Sequence, residues 1–255
     1  MLSSHDLFDA HFHVIDPRFP LVSSHGFLPG VFTCDDYLDR LKDYRLRGGA
    51  VVSGSFQSFD QSYLLDALHR LGPSFVGVTS LPASVPDNQI MDLDRAGVRA
   101  VRFNLRRGGT ETVKHLESMA WRVHELAGWH IELYSDADDL SELYQLLLSL
   151  PAVSIDHIGL TKSGFATVVK LAEQGIRVKA TGFGRVDFNV RTALKRLHSA
   201  NPESLMFGTD LPSTRVERAY NDDDFRLLID TLGEQEAARV LYDNAIAFYK
   251  PRSTG

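Results

Sequence analysis

Asp9-Ala10-His11-Phe12-His13 lies within the first apolar, strand-like run of the chain. Side chains alternate across a strand, so His11 and His13 share one face while Phe12 and Val14 share the other. Two imidazoles on one face are often no more than hydrogen-bonded core histidines. Further motifs later in the chain instead favour a functional role for this histidine pair.

Short β-type runs alternate with amphipathic segments of helical period, an order that predicts a parallel sheet with helices outside it. We count eight such pairs in 255 residues, a length that suits one (β/α)8 barrel. The predicted class is α/β, with a single TIM-barrel domain over residues 1–255. An open doubly wound sheet is the alternative, but no glycine-rich phosphate loop follows the first strand. The predicted strands are 7–15, 50–55, 75–81, 100–105, 131–135, 153–158, 178–181 and 205–209.

Composition excludes several classes of function. A formal charge of -6 without a basic cluster argues against binding to nucleic acid or to an anionic membrane. No run is apolar enough to span a bilayer, and because the first apolar stretch contains acidic and imidazole groups we expect no secretory signal there. The single cysteine, Cys34, excludes an internal disulfide and a thiolate metal cluster and suits a reducing compartment, so we expect a cytoplasmic protein.

Strand parity predicts which side chains point into the barrel near its carboxyl end, where barrel enzymes hold their active sites. Branched apolar residues normally fill a barrel, so polar groups there cost stability unless they are paired or belong to a site. Asp156 has the opposite parity, and we interpret it as structural. The predicted inward set is His11, His13, Ser53, Ser55, Arg102, Asn104, Tyr134, His157, Lys179, Thr181 and Asp210.

The chemistry of these groups predicts an anionic ligand and a general base. Asp210, in Gly208-Thr209-Asp210, either caps a turn or, among imidazoles, takes a proton from water. Arg102 lies within a strand and needs a carboxylate from the protein or from the substrate, and Arg185 could reach the same mouth. The roles of Lys179, Arg106 and Arg107 stay open. The histidines interpreted as surface, loop or packing residues are His5, His25, His69, His115, His124, His130 and His198.

With His11-Phe12-His13, Ile155-Asp156-His157 and Gly208-Thr209-Asp210 in this order, the chain resembles the amidohydrolase superfamily. Within the amidohydrolase-related family 2, it is similar to the metal-independent lactonases typified by pyrone-dicarboxylate hydrolase. The resemblance covers about residues 8–249 and implies a distorted TIM barrel. It also implies that Asp210 is the general base and that His11, His13 and His157 surround the substrate carbonyl. The substrate-binding residues that it implies are Arg102, Tyr134, Arg185, Ser55, Asn104 and Phe27.

Departures from the family pattern bear on metal and substrate. Metal-dependent members usually have a histidine where this chain has Tyr134, so we expect no cofactor. One zinc on His11, His13, His157 and Asp210 is the alternative. Leu160, Phe27 and Ser213 stand where the pyrone enzyme has an arginine, a tyrosine and a histidine, which favours a substrate less charged than a dicarboxylate.

The predicted function is hydrolysis of a small anionic or sugar-derived lactone by water that Asp210 activates, with the three histidines donating to the oxyanion. One alternative is a metal-dependent decarboxylase or amide hydrolase of the same superfamily. The other is a non-catalytic ligand-binding barrel. The expected partner is a small molecule, a lactone with a carboxylate or hydroxyls, and the sequence leaves a homo-oligomer open.

Overall fold

A computed structural model describes residues 2–108 and 110–252 of the chain. It contains one sheet of eight strands, hydrogen-bonded in the order β1 to β8, and each pair of neighbours is parallel. This is the predicted barrel. The strands are β1 (Asp6–Phe12), β2 (Arg45–Val52), β3 (Phe75–Thr79), β4 (Val98–Asn104), β5 (His130–Tyr134), β6 (Val153–Ile155), β7 (Arg177–Ala180) and β8 (Leu205–Phe207).

Helices connect successive strands on the outside of the barrel. Several end at the predicted breakers, as at Gly97 and Gly128, whose left-handed backbone an L side chain would strain. None of the helices described here is long and apolar enough to cross a membrane. The helices are α1 (Cys34–Arg40), α2 (Ser62–Leu71), α3 (Asp87–Ala96), α4 (Leu116–Ala127), α5 (Ala137–Ser149), α6 (Phe165–Glu173), α7 (Val190–Ala200), α8 (Asp222–Leu232), α9 (Glu234–Ala238) and α10 (Asn244–Tyr249).

The barrel closes beyond the end of β8, where the chain returns to the first strand. The amide of Asp210 donates to the carbonyl of His11 at 2.7 Å, and the amide of His13 donates to that of Leu211 at 2.8 Å. Gly208 permits this approach, because a Cβ at that position would lie 2.6 Å from the backbone nitrogen of His11. The closure therefore brings the His11-Phe12-His13 motif of the first strand next to the Gly208-Thr209-Asp210 motif that follows the last strand.

Apolar residues pack on both faces of the sheet. Small and branched side chains such as Ala50, Val78 and Ala100 fill the lower interior, and Tyr249 of α10 joins them from below. Phe12, Val101 and Phe103 face outward into the layer between strands and helices. The lower barrel is thus a packed core, and polar side chains gather above it.

Two parity predictions are wrong. Ser53 donates to or accepts from Tyr63 of α2 at 2.5 Å and so faces the helices, because β2 ends at Val52. Asp156 is fully buried and faces the barrel interior rather than the helices. The strand β6 ends at Ile155, earlier than expected, and the chain then turns, with positive φ at His157 and Ile158, so that His157 faces inward as well.

Candidate active site

Asp210 and three histidines converge at the carboxyl end of the barrel. The Asp210 Oδ1 atom lies 3.8 Å from the Nε2 atoms of His11 and His13 and 4.0 Å from that of His157. All four side chains are buried. Among the described residues, neither Asp210 Oδ1 nor His11 Nε2 has a hydrogen-bond partner. Two buried polar atoms that face each other in this way can both be satisfied by a water molecule or a ligand between them.

Unusual backbone conformations place two of these residues. Asp210 has φ 59° and His157 has φ 51°, in the left-handed region that non-glycine residues seldom adopt. Strain of this kind persists where surrounding contacts hold it and is concentrated at functional sites. Gly182 lies against His157, where a Cβ would approach the Nδ1 atom to 2.7 Å. The loops after β6, β7 and β8 therefore fit together around His157.

Burial keeps the histidines neutral. It lowers the pKa of His13 and of His157 well below the ordinary value, aided by neighbouring positive groups, and it also lowers that of His11. The Nδ1 atom of His13 lies 2.7 Å from the carbonyl oxygen of Val52, which can only accept, so this nitrogen carries the proton. The Nε2 atom of His13 is then an acceptor, which differs from the donor role expected from the sequence. The Nδ1 atom of His157 pairs with the Thr181 hydroxyl at 2.7 Å.

Arg185 fixes the orientation of Asp210. Its Nε donates to Asp210 Oδ2 at 2.6 Å, and its Nη2 donates to the carbonyl of Thr214 at 2.9 Å. Although burial opposes the charge of Arg185, the adjacent carboxylate raises its pKa above the ordinary value. One oxygen of Asp210 is thus engaged, and the other faces the histidines.

A network of buried charges lies beneath the histidines. Asp156 Oδ2 accepts from Nε and Nη2 of Arg102 at 3.0 and 2.7 Å, and Lys179 donates to Glu132. Burial opposes ionisation of Asp156, but the positive charges of Arg102 and Lys179 outweigh it and hold the pKa well below the ordinary value. The charge of Lys179 likewise outweighs burial at Glu132 and lowers that pKa to about 2. Paired in this way, the charges tolerate burial.

A narrow pocket of about 30 Å³ opens beside the histidine cluster. The predicted residues that line it are His13, Ser55, Arg102, Asn104, Tyr134, His157 and Arg185. The sequence did not indicate Phe56, Thr214 or Arg215, which also line it, and it left Arg107 open. Asp210 and His11 lie behind this surface, within reach of a molecule that enters it.

Arg102 and Arg185, which the sequence analysis proposed for substrate binding, each form an ion pair with a carboxylate of the protein. Arg107 and Arg215 have neutral hydrogen-bond partners. Arg107 donates to the Tyr134 hydroxyl at 3.4 Å, and Arg215 donates to the carbonyl of Ser24 at 2.8 Å. Within the described part of the chain, neither forms an ion pair with a carboxylate, and Arg215 Nε has no partner. The pocket therefore has guanidinium groups available for an anion.

Phe27 does not line the pocket. Its ring lies 4.3 Å from the guanidinium carbon of Arg215, so it supports that side chain from the loop after β1. Asn104 lines the pocket but also accepts the backbone N–H of Arg107 at 2.9 Å, which orders the loop after β4. Arg106 points away and pairs with Asp136.

The donor set partly suits zinc. The ligand atoms of His11, His157 and Asp210 lie within 4.8 Å of one another, and tetrahedral zinc with bonds of about 2.0 Å needs neighbouring ligands roughly 3.3 Å apart. His11 does not fit, however, because its Nδ1 lies 3.3 Å from the ammonium of Lys179. A nitrogen that accepts there leaves the proton on Nε2, the atom that would bind the metal. We therefore derive no step through a metal.

Sequence reasoning missed part of the network. Glu132 lies on β5 two residues before Tyr134, and the same parity that indicated Tyr134 could have identified it. The inward direction of Asp156 could have been predicted only if the strand had been ended at Ile155 rather than at Ile158. Arg215 lies in a loop in which it and Ser213 both have positive φ, and no sequence pattern predicts where its side chain points.

Comparisons with known proteins show similarity along nearly the whole chain. The chain is 29% identical to 2-pyrone-4,6-dicarboxylate hydrolase of Comamonas testosteroni, over 95% of this chain and 90% of that protein. It is 27% identical to 4-sulfomuconolactone hydrolase of Hydrogenophaga intermedia, over 92% and 86%. A crystal structure of a probable 2-pyrone-4,6-dicarboxylic acid hydrolase from Acinetobacter baumannii, with citric acid bound, superposes with a TM-score of 0.83 at 19% identity, over 96% of this chain and 99% of that one.

A family model described as amidohydrolase matches residues 8–250, a range that includes all eight strands except the first residues of β1. The match also includes Asp210, the three histidines and the arginines of the pocket. The chain therefore belongs to the amidohydrolase family.

Proposed function

We propose that this protein is a lactonase in which Asp210 activates the attacking water. The observation that carries the proposal is the position of Asp210 Oδ1, which is buried, unsatisfied among the described residues and faces three imidazole nitrogens at 3.8–4.0 Å. The names of the curated relatives support the reaction class, because both are hydrolases of ring esters.

The proposed first step follows from the two acceptor atoms that face each other. Asp210 Oδ1 and the unprotonated His13 Nε2 lie 3.8 Å apart, so one water molecule can donate a hydrogen bond to each. Asp210 takes a proton from this water while the water oxygen forms a bond to the carbonyl carbon of the ring. His13 thus orients the nucleophile.

The carbonyl oxygen becomes an oxyanion in this step. The Nε2 atoms of His11 and His157 face the same space, and each as an N–H donor would stabilise the charge, by about 3 kcal/mol for a well-placed donor. The tetrahedral intermediate then breaks the ring C–O bond. Asp210 returns its proton to the leaving oxygen, and the product is an open-chain hydroxy acid.

The pocket supports a substrate that carries an acidic group besides the lactone. Arg102 and Arg185 are each paired with a carboxylate, at Asp156 and Asp210. Arg107 and Arg215 have neutral partners at the rim and can bind a carboxylate or a sulfonate. Leu160 stands where the pyrone enzyme has an arginine, and Arg215, from another loop, supplies a positive charge in its place. This favours an acidic lactone over a neutral sugar lactone.

Acid release from a panel of lactones tests the proposal. The panel contains neutral, monocarboxylic and dicarboxylic rings, offered to protein that has been treated with a chelator, with and without added zinc. We expect turnover of acidic rings without zinc. Turnover that depends on added zinc would instead favour the metal-dependent decarboxylase or amide hydrolase, and binding of acidic lactones without turnover of any of them would favour the non-catalytic barrel.

A further inference from the structure

Lys179 lies directly beneath the active site, does not line the pocket and has no role in the proposed reaction. It is fully buried on β7, between Glu132 and the floor of the histidine cluster. Its Nζ donates to Glu132, lies 3.3 Å from His11 Nδ1 and lies 3.5 Å from Asp156 Oδ1. An ammonium has three N–H donors, and three acceptor positions surround this one.

His11 Nδ1 has two neighbours that make opposite demands. Asp156 Oδ1 lies 3.4 Å away and would accept a proton from Nδ1, whereas Lys179 can only donate to it. The contact with Lys179 has hydrogen-bond geometry, whereas Asp156 Oδ1 has no hydrogen bond from any described residue. A protonated Nδ1 would also face the ammonium as donor against donor.

We propose that Lys179 is a positioning residue that holds His11 as the Nε2–H tautomer, so that His11 presents a hydrogen-bond donor rather than a metal ligand to Asp210. The tautomer itself does not depend on the reaction; only its use in stabilising the oxyanion rests on the proposed function. The same lysine then accounts for the failure of His11 to fit zinc.

Removal of Lys179 should reverse the tautomer. His11 Nδ1–H would then donate to Asp156 Oδ1, and the Nε2 lone pair would face Asp210 Oδ1 at 3.8 Å. A carboxylate behind a histidine is the usual second layer of a zinc site, and such partners change metal affinity by about 10- to 100-fold. The variant should therefore bind zinc more tightly than the natural protein.

The variant must keep the buried charges balanced. Lys179→Met alone leaves the Glu132 carboxylate without its ammonium, so the test uses Lys179→Met together with Glu132→Gln. The matched control is Tyr249→Phe, which removes the 2.5 Å hydrogen bond from Tyr249 to Glu132 but leaves the contacts of Lys179 in place. Cooperative unfolding in urea checks that each variant is folded.

Two measurements test the proposal without any substrate. In 15N-histidine-labelled protein, long-range 1H–15N correlation identifies the protonated nitrogen of His11, assigned with His11→Gln. We expect Nε2–H in the natural protein and in the control, and Nδ1–H in the double variant. Competition with a chromophoric chelator should show zinc bound at least about tenfold more tightly by the double variant.

An Nδ1–H tautomer of His11 in the natural protein overturns the proposal, whether or not the double variant folds. An unchanged tautomer and an unchanged zinc affinity in a folded double variant overturn it too. Because neither measurement uses turnover, a failed lactonase assay and a failed tautomer assignment can be told apart.

Discussion

Replacing Asp210 with asparagine retains the shape of the side chain and removes the base. Arg185 Nε donates to Oδ2 at 2.6 Å, so in the variant the amide oxygen must face Arg185. The amide NH2 then faces His13 Nε2, 3.8 Å from the present Oδ1 position, and occupies the space proposed for water. The variant therefore presents a donor where the reaction needs an acceptor.

We expect Asp210→Asn to lower kcat by about 10²- to 10⁴-fold, which is the usual contribution of a general base and corresponds to about 3–5 kcal/mol. KM should change little, since Asp210 is 1% exposed and lies behind the pocket lining. Acid release from an acidic lactone, followed over substrate concentrations below and above KM, measures both constants.

Asp136→Asn is the matched control. Asp136 lies at the same end of the barrel but pairs with Arg106, outside the pocket, so kcat should stay within about twofold. A folded Asp210→Asn protein with kcat within tenfold of the natural protein would refute the assignment of the base.

Three further outcomes follow from the charges. Arg215→Gln should raise KM for an acidic lactone about tenfold and leave a neutral lactone unaffected, because the lost contact is charge-assisted; equal effects on the two substrates would contradict this. Asp156→Asn should lower the free energy of unfolding in urea by about 3–5 kcal/mol, since Arg102 would be left buried without its carboxylate. For Glu132, the folded pKa of about 2 lies below the ordinary 4.5, so its stabilisation is present above pH 4.5 and is lost as pH falls towards 2. The free energy of unfolding should therefore decline over this window less steeply in Glu132→Gln than in the natural protein.

The period of the apolar residues was sufficient to predict eight strand–helix pairs in a parallel barrel. Local breakers such as Gly97 and Gly128 also placed helix ends to within a residue or two. Strand ends were less predictable. The sequence run through Ile158 reads as one strand, but the ladder of β6 stops at Ile155 because backbone turning competes with pairing there. That difference reversed the predicted direction of Asp156.

What the sequence by itself determined is the barrel and the identity of the groups at its carboxyl end, because alternation and strand order depend on local side-chain chemistry. The tertiary structure alone decided how those groups are paired. Arg102 and Arg185 are neutralised by Asp156 and Asp210, while Arg107 and Arg215 have neutral partners. It also placed Lys179 against His11, 168 positions away. Pairing, tautomer and available charge depend on distances of a few ångströms between side chains from different strands, and no periodicity along one chain encodes those distances.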